Sequence, residues 1–285
     1  MQVFTTPDAM RAWSREQRSR GLRVAVVPTM GALHAGHMTL VEAAAERADR
    51  VIVTIFVNPL QFNQSTDFDS YPRPIDDDLA ACRLEGVAAV YAPTAATMYS
   101  PQFQTHVEPG YLADRLEGPM RPGHFRGVAT VVTKLLGATS PDLAIFGQKD
   151  FQQLAIIRRM IADLDLGIEI YGVPIVREPD GLAMSSRNVR LTPSDRAAAV
   201  VLSRALDGAE RLVREGEPSV ERVRAAVSSV IESEPRASLE YVEVVDAVTL
   251  GPIDRLECPV VVLIAAWFGD VRLIDNRLLG DNGDF

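Results

Sequence analysis

The chain has no apolar stretch long enough to span a bilayer, and residues 1–13 lack the apolar core of a secretion signal. These absences predict a soluble, cytoplasmic protein. Cysteine is scarce: Cys82 and Cys258 stand far apart without metal-site spacing, which excludes a disulfide framework and reads as a reduced thiol pair. Positive charge is in deficit, with 29 Lys and Arg against 38 Asp and Glu and a formal net charge of −9. A general nucleic-acid binder needs clustered cations, so this balance argues against one while leaving room for local basic residues at a small phosphate. The phosphate loop G-x-x-x-x-G-K-[ST] is missing as well, so a nucleotide must be held another way. Repeats and low-complexity tracts are also lacking. What remains is 285 residues, 47% apolar and 24% charged, enough for one large or two modest domains with a real core.

Apolar runs at 24–27, 51–57, 87–91, 143–146 and 168–176 alternate with helical patterns at 38–48, 76–84, 125–136 and 151–164. Continuous hydrophobic strands interleaved with helices predict an α/β fold, a Rossmann-like parallel sheet with helices on both faces. Ligands of such sheets sit beyond the carboxyl ends of the strands. After about residue 176 the pattern changes. Thr192-Pro193-Ser194-Asp195 is a helix start, a helical stretch runs on to about Arg214, and a second covers 219–232. Strand candidates at 239–245 and 260–266 flank a turn-rich segment, 251–258. The expectation is a first domain over 1–176 and a smaller α+β C-terminal domain over 177–285.

The polar clusters fall where strands end. After the first run comes Pro28-Thr29-Met30-Gly31-Ala32-Leu33-His34-Ala35-Gly36-His37. His34 and His37 are spaced to share one face at a helix start, beside unpaired N–H groups that favour anions, and Gly31 and Gly36 let backbone approach a ligand. Phosphate contact is the economical reading; a third metal ligand is not evident nearby. Asn58 and Gln61, after the second run, are amides able to bond hydroxyl and carboxylate groups, although Asn-Pro is also an ordinary turn. Asp76, Asp77 and Asp78 open a helix, where capping and dipole effects account for at least two of them and one is left to reach magnesium. Arg121-Pro122-Gly123-His124-Phe125-Arg126-Gly127 is either an anion loop or a solvated basic loop. At the 146–153 junction Lys149 would meet an anion as a point charge and Gln153 would project over the same crevice. Met184-Ser185-Ser186-Arg187-Asn188 sets two hydroxyls and a guanidinium in succession, suited to phosphate oxygens.

In order and combination these clusters, with Tyr71-Pro72-Arg73 and Arg272-Leu273-Ile274-Asp275-Asn276, resemble the pantoate–β-alanine ligase family of the nucleotidylyltransferase superfamily over nearly the whole chain. The resemblance implies ATP-dependent joining of (R)-pantoate to β-alanine through a pantoyl adenylate, with release of AMP and pyrophosphate, a requirement for Mg2+, and a homodimer. It places Met30, Gly31, Ala32, Leu33, His34, Ala35, Gly36 and His37 along ATP, with His37 as proton donor. Gly147, Gln148, Lys149, Asp150, Val176, Met184, Ser185, Ser186 and Arg187 complete the ATP site. Gln61 and Gln153 hold pantoate, and Asp77 matches the magnesium position. Because water would hydrolyse such an adenylate, the C-terminal domain is expected to close as a lid. His34, His37, Lys149, Ser185, Ser186 and Arg187 are the groups expected to carry the chemistry. One departure is Asn63, where many relatives have glycine. An aminoacyl-tRNA synthetase, which also adenylates a carboxylate, and a non-catalytic nucleotide sensor are the competing readings.

Overall fold

The computed structural model describes residues 1–63, 68–257 and 259–280, so Cys258 lies outside the described residues. The chain divides into two compact units, Met1–Gln148 with Gln152–Val173, and Lys149–Phe151 with Pro174–Phe285. The short piece Lys149–Phe151 therefore belongs with the C-terminal residues rather than with the strand it follows.

Among the described residues the first unit carries six strands: β1 (Gln2–Phe4), β2 (Val24–Thr29), β3 (Arg50–Ile55), β4 (Ala89–Tyr91), β5 (Leu143–Gly147) and β6 (Glu169–Val173). All neighbours pair in parallel, in the order β1-β4-β3-β2-β5-β6. Strand side chains alternate between faces. Val24 and Val26 enter one apolar cluster with Met10, Val128 and Leu154, while Ala25 and Val27 enter another with Val41 and Cys82. The sheet is thus covered on one face by the helices Pro7–Ser19, His124–Thr139 and Phe151–Asp163, and on the other by Ala35–Ala45 and Ile75–Leu84. This is the α/β sheet the hydrophobic runs predict. Its order reverses between β2 and β5, and such a switch point opens a crevice beyond the strand ends.

In the first unit β1 and the helix Pro7–Ser19 escaped the sequence pattern. β1 is an edge strand with two of three residues exposed, too short for a period to register. Helix Pro7–Ser19 buries Met10, Ser14 and Gln17, which keep the helical spacing, but two of those three are polar.

The second unit packs helices Pro193–Ala198, Val201–Arg214 and Val220–Glu232 against a sheet of β7 (Ala237–Asp246), β8 (Val260–Phe268) and β9 (Val271–Leu279), antiparallel in that order. Thr192 and Ser219 cap their helices, accepting from the N–H groups of Asp195 and Arg222. The single helical stretch expected up to Arg214 is two helices, because a bond from the Leu202 N–H back to the Ala199 carbonyl tightens the chain at 199–200. β9 was not foreseen as a strand. Its Arg272, Asp275 and Arg277 break the apolar alternation, yet each is paired within the unit, with Glu240, Arg177, and Asp207 plus Glu210. The Gly269-Asp270 step between paired Phe268 and Val271 is the hairpin signal that marks it.

Among the described residues no helix is long and apolar enough to cross a membrane. Leu206 is fully buried in the second unit's core. Leu206→Ala should cost about 2–5 kcal/mol of stability through lost burial and the cavity left behind. Urea unfolding followed by circular dichroism reads this directly, and a loss under about 1 kcal/mol would contradict this account of the core.

Candidate active site

β2 ends at the switch point, and the turn that follows is held from below by a buried carboxylate. Asp78, in the first turn of helix Ile75–Leu84 and 3% exposed, accepts from the N–H of Ala32 at 2.9 Å (Oδ2) and of Leu33 at 2.7 Å (Oδ1). Ala32 has φ +53, a left-handed backbone that costs a residue with a Cβ roughly 1 kcal/mol. The bond to Asp78 holds it there. Gly31 has φ +82, and a Cβ on it would stand 2.8 Å from Asp78 Oδ2 and 3.0 Å from Ile55 Cγ2, so glycine is required.

The turn delivers His34 as N-cap of helix Ala35–Ala45. His34 Nδ1 accepts from the Gly36 N–H at 3.1 Å, and His37 Nδ1 accepts from the His34 N–H at 3.3 Å. Two imidazoles thus make the reciprocal bonds that Ser and Glu make in a capping box. Their ring centroids lie 4.1 Å apart. A ring nitrogen that accepts from a backbone N–H carries no proton, so each ring bears its proton on Nε2. Both histidines are therefore hydrogen-bond donors at Nε2.

The second strand-end cluster is built on Asn58, which is 1% exposed. Its amide nitrogen donates to Gln61 Oε1 and to the Gly127 carbonyl, both at 3.1 Å, and its Oδ1 accepts from the Leu60 N–H at 3.3 Å. Gln61 is half-buried, and its Nε2 reaches Met30 Sδ at 3.0 Å. Its backbone carbonyl pairs with His124 Nδ1 at 2.8 Å. A Cβ on Gly127 would meet the Leu60 carbonyl oxygen at 2.3 Å, so helix His124–Thr139 docks on this turn through bare backbone. The 121–127 loop, which the sequence left open as an anion loop, thus acts here as a support. Asn58 likewise is a scaffold under Gln61 rather than an exposed contact. Asn63 donates to the Pro122 carbonyl at 2.6 Å.

After β5, Gly147 lies beside the Ala35–Ala45 helix, with Leu40 Cδ2 3.9 Å from where its Cβ would be, and Gln148 Nε2 donates to the Gly172 carbonyl at 3.3 Å. Gln153 is half-buried in helix Phe151–Asp163. Its neighbour Gln152 is buried and ties the 112–117 segment, bonding the Leu112 and Arg115 carbonyls and the Glu117 N–H. Asp77 is exposed. Among the described residues no group of three or more His, Cys, Asp and Glu gathers as a metal cage. A magnesium ion held by one carboxylate would need the oxygens of a phosphorylated substrate and water to complete its shell, which is how this ion is commonly bound.

In the second unit the remaining candidates share one anchor strand. Adjacent residues of β9 point to opposite faces. Asp275, 2% exposed, takes Arg177 in a two-pronged pair at 2.7 and 2.9 Å, and the Asn276 side chain donates to the Lys149 carbonyl at 2.9 Å. Arg177 opens a hairpin closed by the Met184 N–H on the Val176 carbonyl at 2.9 Å. Ser185 then caps the short turn Ser186–Arg190, its Oγ accepting from the Arg187 N–H at 3.2 Å, and Asn188 ties the turn back to Glu178 and Ala183. Arg196 braces the hairpin tip through Asp180 and Glu178, and its hydrogen bond holds the Asp180 carboxyl below the usual aspartate range. Val176, Met184, Ser185, Ser186, Arg187 and Lys149 are all half-buried, and Asp150 is exposed.

Within the first unit the structure therefore brings Met30 to Gln61 and His34 to His37, and within the second it ties Lys149 and the 176–187 hairpin to neighbouring β9 residues. Asp77 is not drawn into either group. Three residues that act were missed as such: Asp78 was absorbed into a generic helix-start explanation, and Asp275 and Asn276 were noted without a role. A further signal went unread. The chain has only two lysines, Lys134 and Lys149, among 29 Lys and Arg, so a compact ammonium at 149 is a departure from a strong arginine preference.

Comparison with known proteins bears on what this arrangement does. A family model described as Pantoate-beta-alanine ligase matches residues 2–278. The pantothenate synthetase of Heliobacterium modesticaldum is 49% identical over 279 residues, 98% of this chain and 99% of its own. The crystal structure of pantothenate synthetase from Thermus thermophilus matches with a TM-score of 0.90 at 40% identity, covering 97% of this chain and 99% of that one. Pantoate-beta-alanine ligase from Francisella tularensis, complexed with beta-gamma ATP and beta-alanine, matches with a TM-score of 0.80 at 32% identity, covering 98% of this chain and 97% of that one.

Two outcomes are expected of the geometry alone. Asp78→Asn replaces one acceptor oxygen by a donor facing a backbone N–H, so amide-exchange protection at Ala32 and Leu33 should collapse; unaltered protection would show the carboxylate is not what holds the turn. A depressed carboxyl stabilises above its unfolded value, 3.8 for Asp180, and that contribution disappears as pH falls through the lower folded value. The Met184 amide should accordingly lose protection only below pH 3.8, and Arg196→Ala should abolish that acid step.

Proposed function

Since the chain belongs to the pantoate–β-alanine ligase family, and so to the ligases, we propose that it condenses (R)-pantoate with β-alanine, consuming ATP, through a pantoyl adenylate. The observation that carries this reading is the pair of imidazoles at the switch point, each with Nδ1 occupied by backbone and its proton on Nε2. Such a pair presents fixed donors to a phosphoryl group and has no basic nitrogen left over for proton abstraction.

A pantoate carboxylate oxygen attacks the α-phosphorus of ATP, the new P–O bond forms as the bond to pyrophosphate breaks, and the acyl adenylate stays bound. A carboxylate is already deprotonated, so this step needs charge neutralisation and alignment rather than a general base. His37 and His34 donate from Nε2 to phosphate oxygens, Lys149 supplies a point charge, and Ser185, Ser186 and Arg187 add hydroxyl and guanidinium donors. The proton-donor role of His37 is then a hydrogen bond that strengthens as charge builds. Backbone and side chains at 30–37, Gly147, Gln148, Asp150, Val176 and Met184 line the nucleotide. Gln61 and Gln153 hold pantoate. Mg2+ bound with ATP would shield the phosphates, and Asp77 is the carboxylate assigned to it. The free amine of β-alanine then attacks the acyl carbon, the amide forms, AMP leaves with the bonding pair, and the ammonium proton passes to solvent. Because water would destroy the mixed anhydride, the C-terminal unit is assigned the part of a lid. The working form is assigned as a cytoplasmic homodimer.

Purified protein with Mg-ATP, pantoate and β-alanine should release AMP only when all three are present. Labelled pyrophosphate should exchange into ATP with pantoate alone, without β-alanine. Exchange that demands an amino acid and ignores pantoate would overturn the assignment in favour of a synthetase-like activity. Lys149→Ala should slow adenylate formation by about 10²-fold or more, as loss of one transition-state donor does. A rapid-quench burst of wild-type rate in that variant would remove Lys149 from the mechanism.

A further inference from the structure

Tyr99 takes no part in the chemistry above and belongs to none of the motifs. Its hydroxyl lies 2.7 Å from Asn58 Oδ1. Two backbone groups fix which end of the Asn58 amide is which. The Leu60 N–H needs an acceptor and finds Oδ1, and the Gly127 carbonyl needs a donor and finds Nδ2. With the oxygen so assigned, Tyr99 is the donor. The second hydrogen on Asn58 Nδ2 goes to Gln61 Oε1. Gln61 is thereby turned with its own NH2 away from Asn58, where one N–H meets Met30 Sδ, a weak acceptor. Its other N–H has no protein acceptor among the described residues. A half-buried amide donor in that condition is poised for an oxygen that the protein does not supply.

The Tyr99 ring is itself held. One of the chain's two lysines, Lys134, sets its ammonium 5.9 Å from the Tyr99 centroid and 5.3 Å from that of Phe103, and the two rings meet edge-on at 4.9 Å. Burial pushes the Tyr99 phenol pKa up, which keeps its proton in place throughout the neutral range.

We propose that Tyr99 is a positioning residue which, acting through Asn58, locks Gln61 with its NH2 outward, so that this end of the site selects an acid substrate carrying an acceptor oxygen. The assignment rests on the reading of Gln61 as a pantoate-holding residue and deepens it, by giving the recognition a direction. An amide free to turn would present its oxygen about as readily as its nitrogen, and would repel a carboxylate half the time.

The test is a double-mutant cycle on steady-state kinetics, run beside the wild type. Tyr99→Phe removes one hydroxyl and should raise KM for pantoate about tenfold, the size of one lost buried hydrogen bond, with KM for ATP and kcat changed less than about twofold. In a Gln61→Ala background the same change should have no further effect on pantoate, since there is no amide left to orient. An equal loss in both backgrounds, or a fall in kcat alone, marks a merely structural role and overturns the proposal. Gln61→Glu, which leaves the Tyr99 hydroxyl in place, keeps the oxygen toward Asn58 but turns the outward donor into an acceptor. It should raise KM for pantoate by about 10²-fold, and a wild-type value would refute the outward NH2. Wild-type protein inactive with pantoate would instead fell the functional reading, and this assignment with it.

Discussion

The turn after β2 exists because one buried carboxylate receives two consecutive backbone N–H groups. Asp78 has little access to water, and an ionised oxygen in that position is tolerable only with donors in place of solvent. Ala32 and Leu33 supply them, and the requirement works in both directions. The carboxylate needs the turn, and the turn, with a left-handed alanine and a glycine that admits no side chain, needs the carboxylate. Everything downstream inherits that geometry: where helix Ala35–Ala45 begins, that His34 is its cap, and that both imidazoles commit Nδ1 to the backbone.

The same device recurs in the second unit with other residues. Asp275 grips Arg177, and Asn276 grips the Lys149 carbonyl, so two successive positions of β9 fix two separate segments bearing candidate phosphate ligands. At Asn58 the pattern appears a third time, with a buried amide holding backbone on two sides and Gln61 on another. In each case a buried polar residue, satisfied by main-chain or paired charged groups, stands behind a half-buried one. Precision of this kind is what a charge-stabilising site demands, since donors misplaced by an ångström lose most of their effect.

Much of this was legible in advance. The apolar runs located β2, β3, β5 and β8, because a strand buried on both faces has no choice but to be hydrophobic. The capping signal at Thr192 and the acidic run before Leu79 marked helix starts, because those signals are local. Helix Pro7–Ser19 and β9 were not legible for a shared reason. Their inward positions include Ser14, Gln17 and Asp275, polar residues whose burial is satisfied by partners remote in sequence, such as the Ser140 carbonyl, Arg50 and Arg177. Periodicity analysis scores such positions as surface.

From the sequence alone came the alternation of strand and helix and the placing of the polar motifs at strand ends, because hydrophobic spacing and turn chemistry are properties of neighbouring residues; the order of those motifs carried the resemblance to the family. Only the folded chain decided which of three consecutive aspartates went inside, which nitrogen of each histidine keeps its proton, and which end of Gln61 faces outward. Those choices depend on hydrogen-bond partners that the fold supplies, many of them dozens of positions away along the chain, and no local pattern carries information about a partner that proximity in space alone provides.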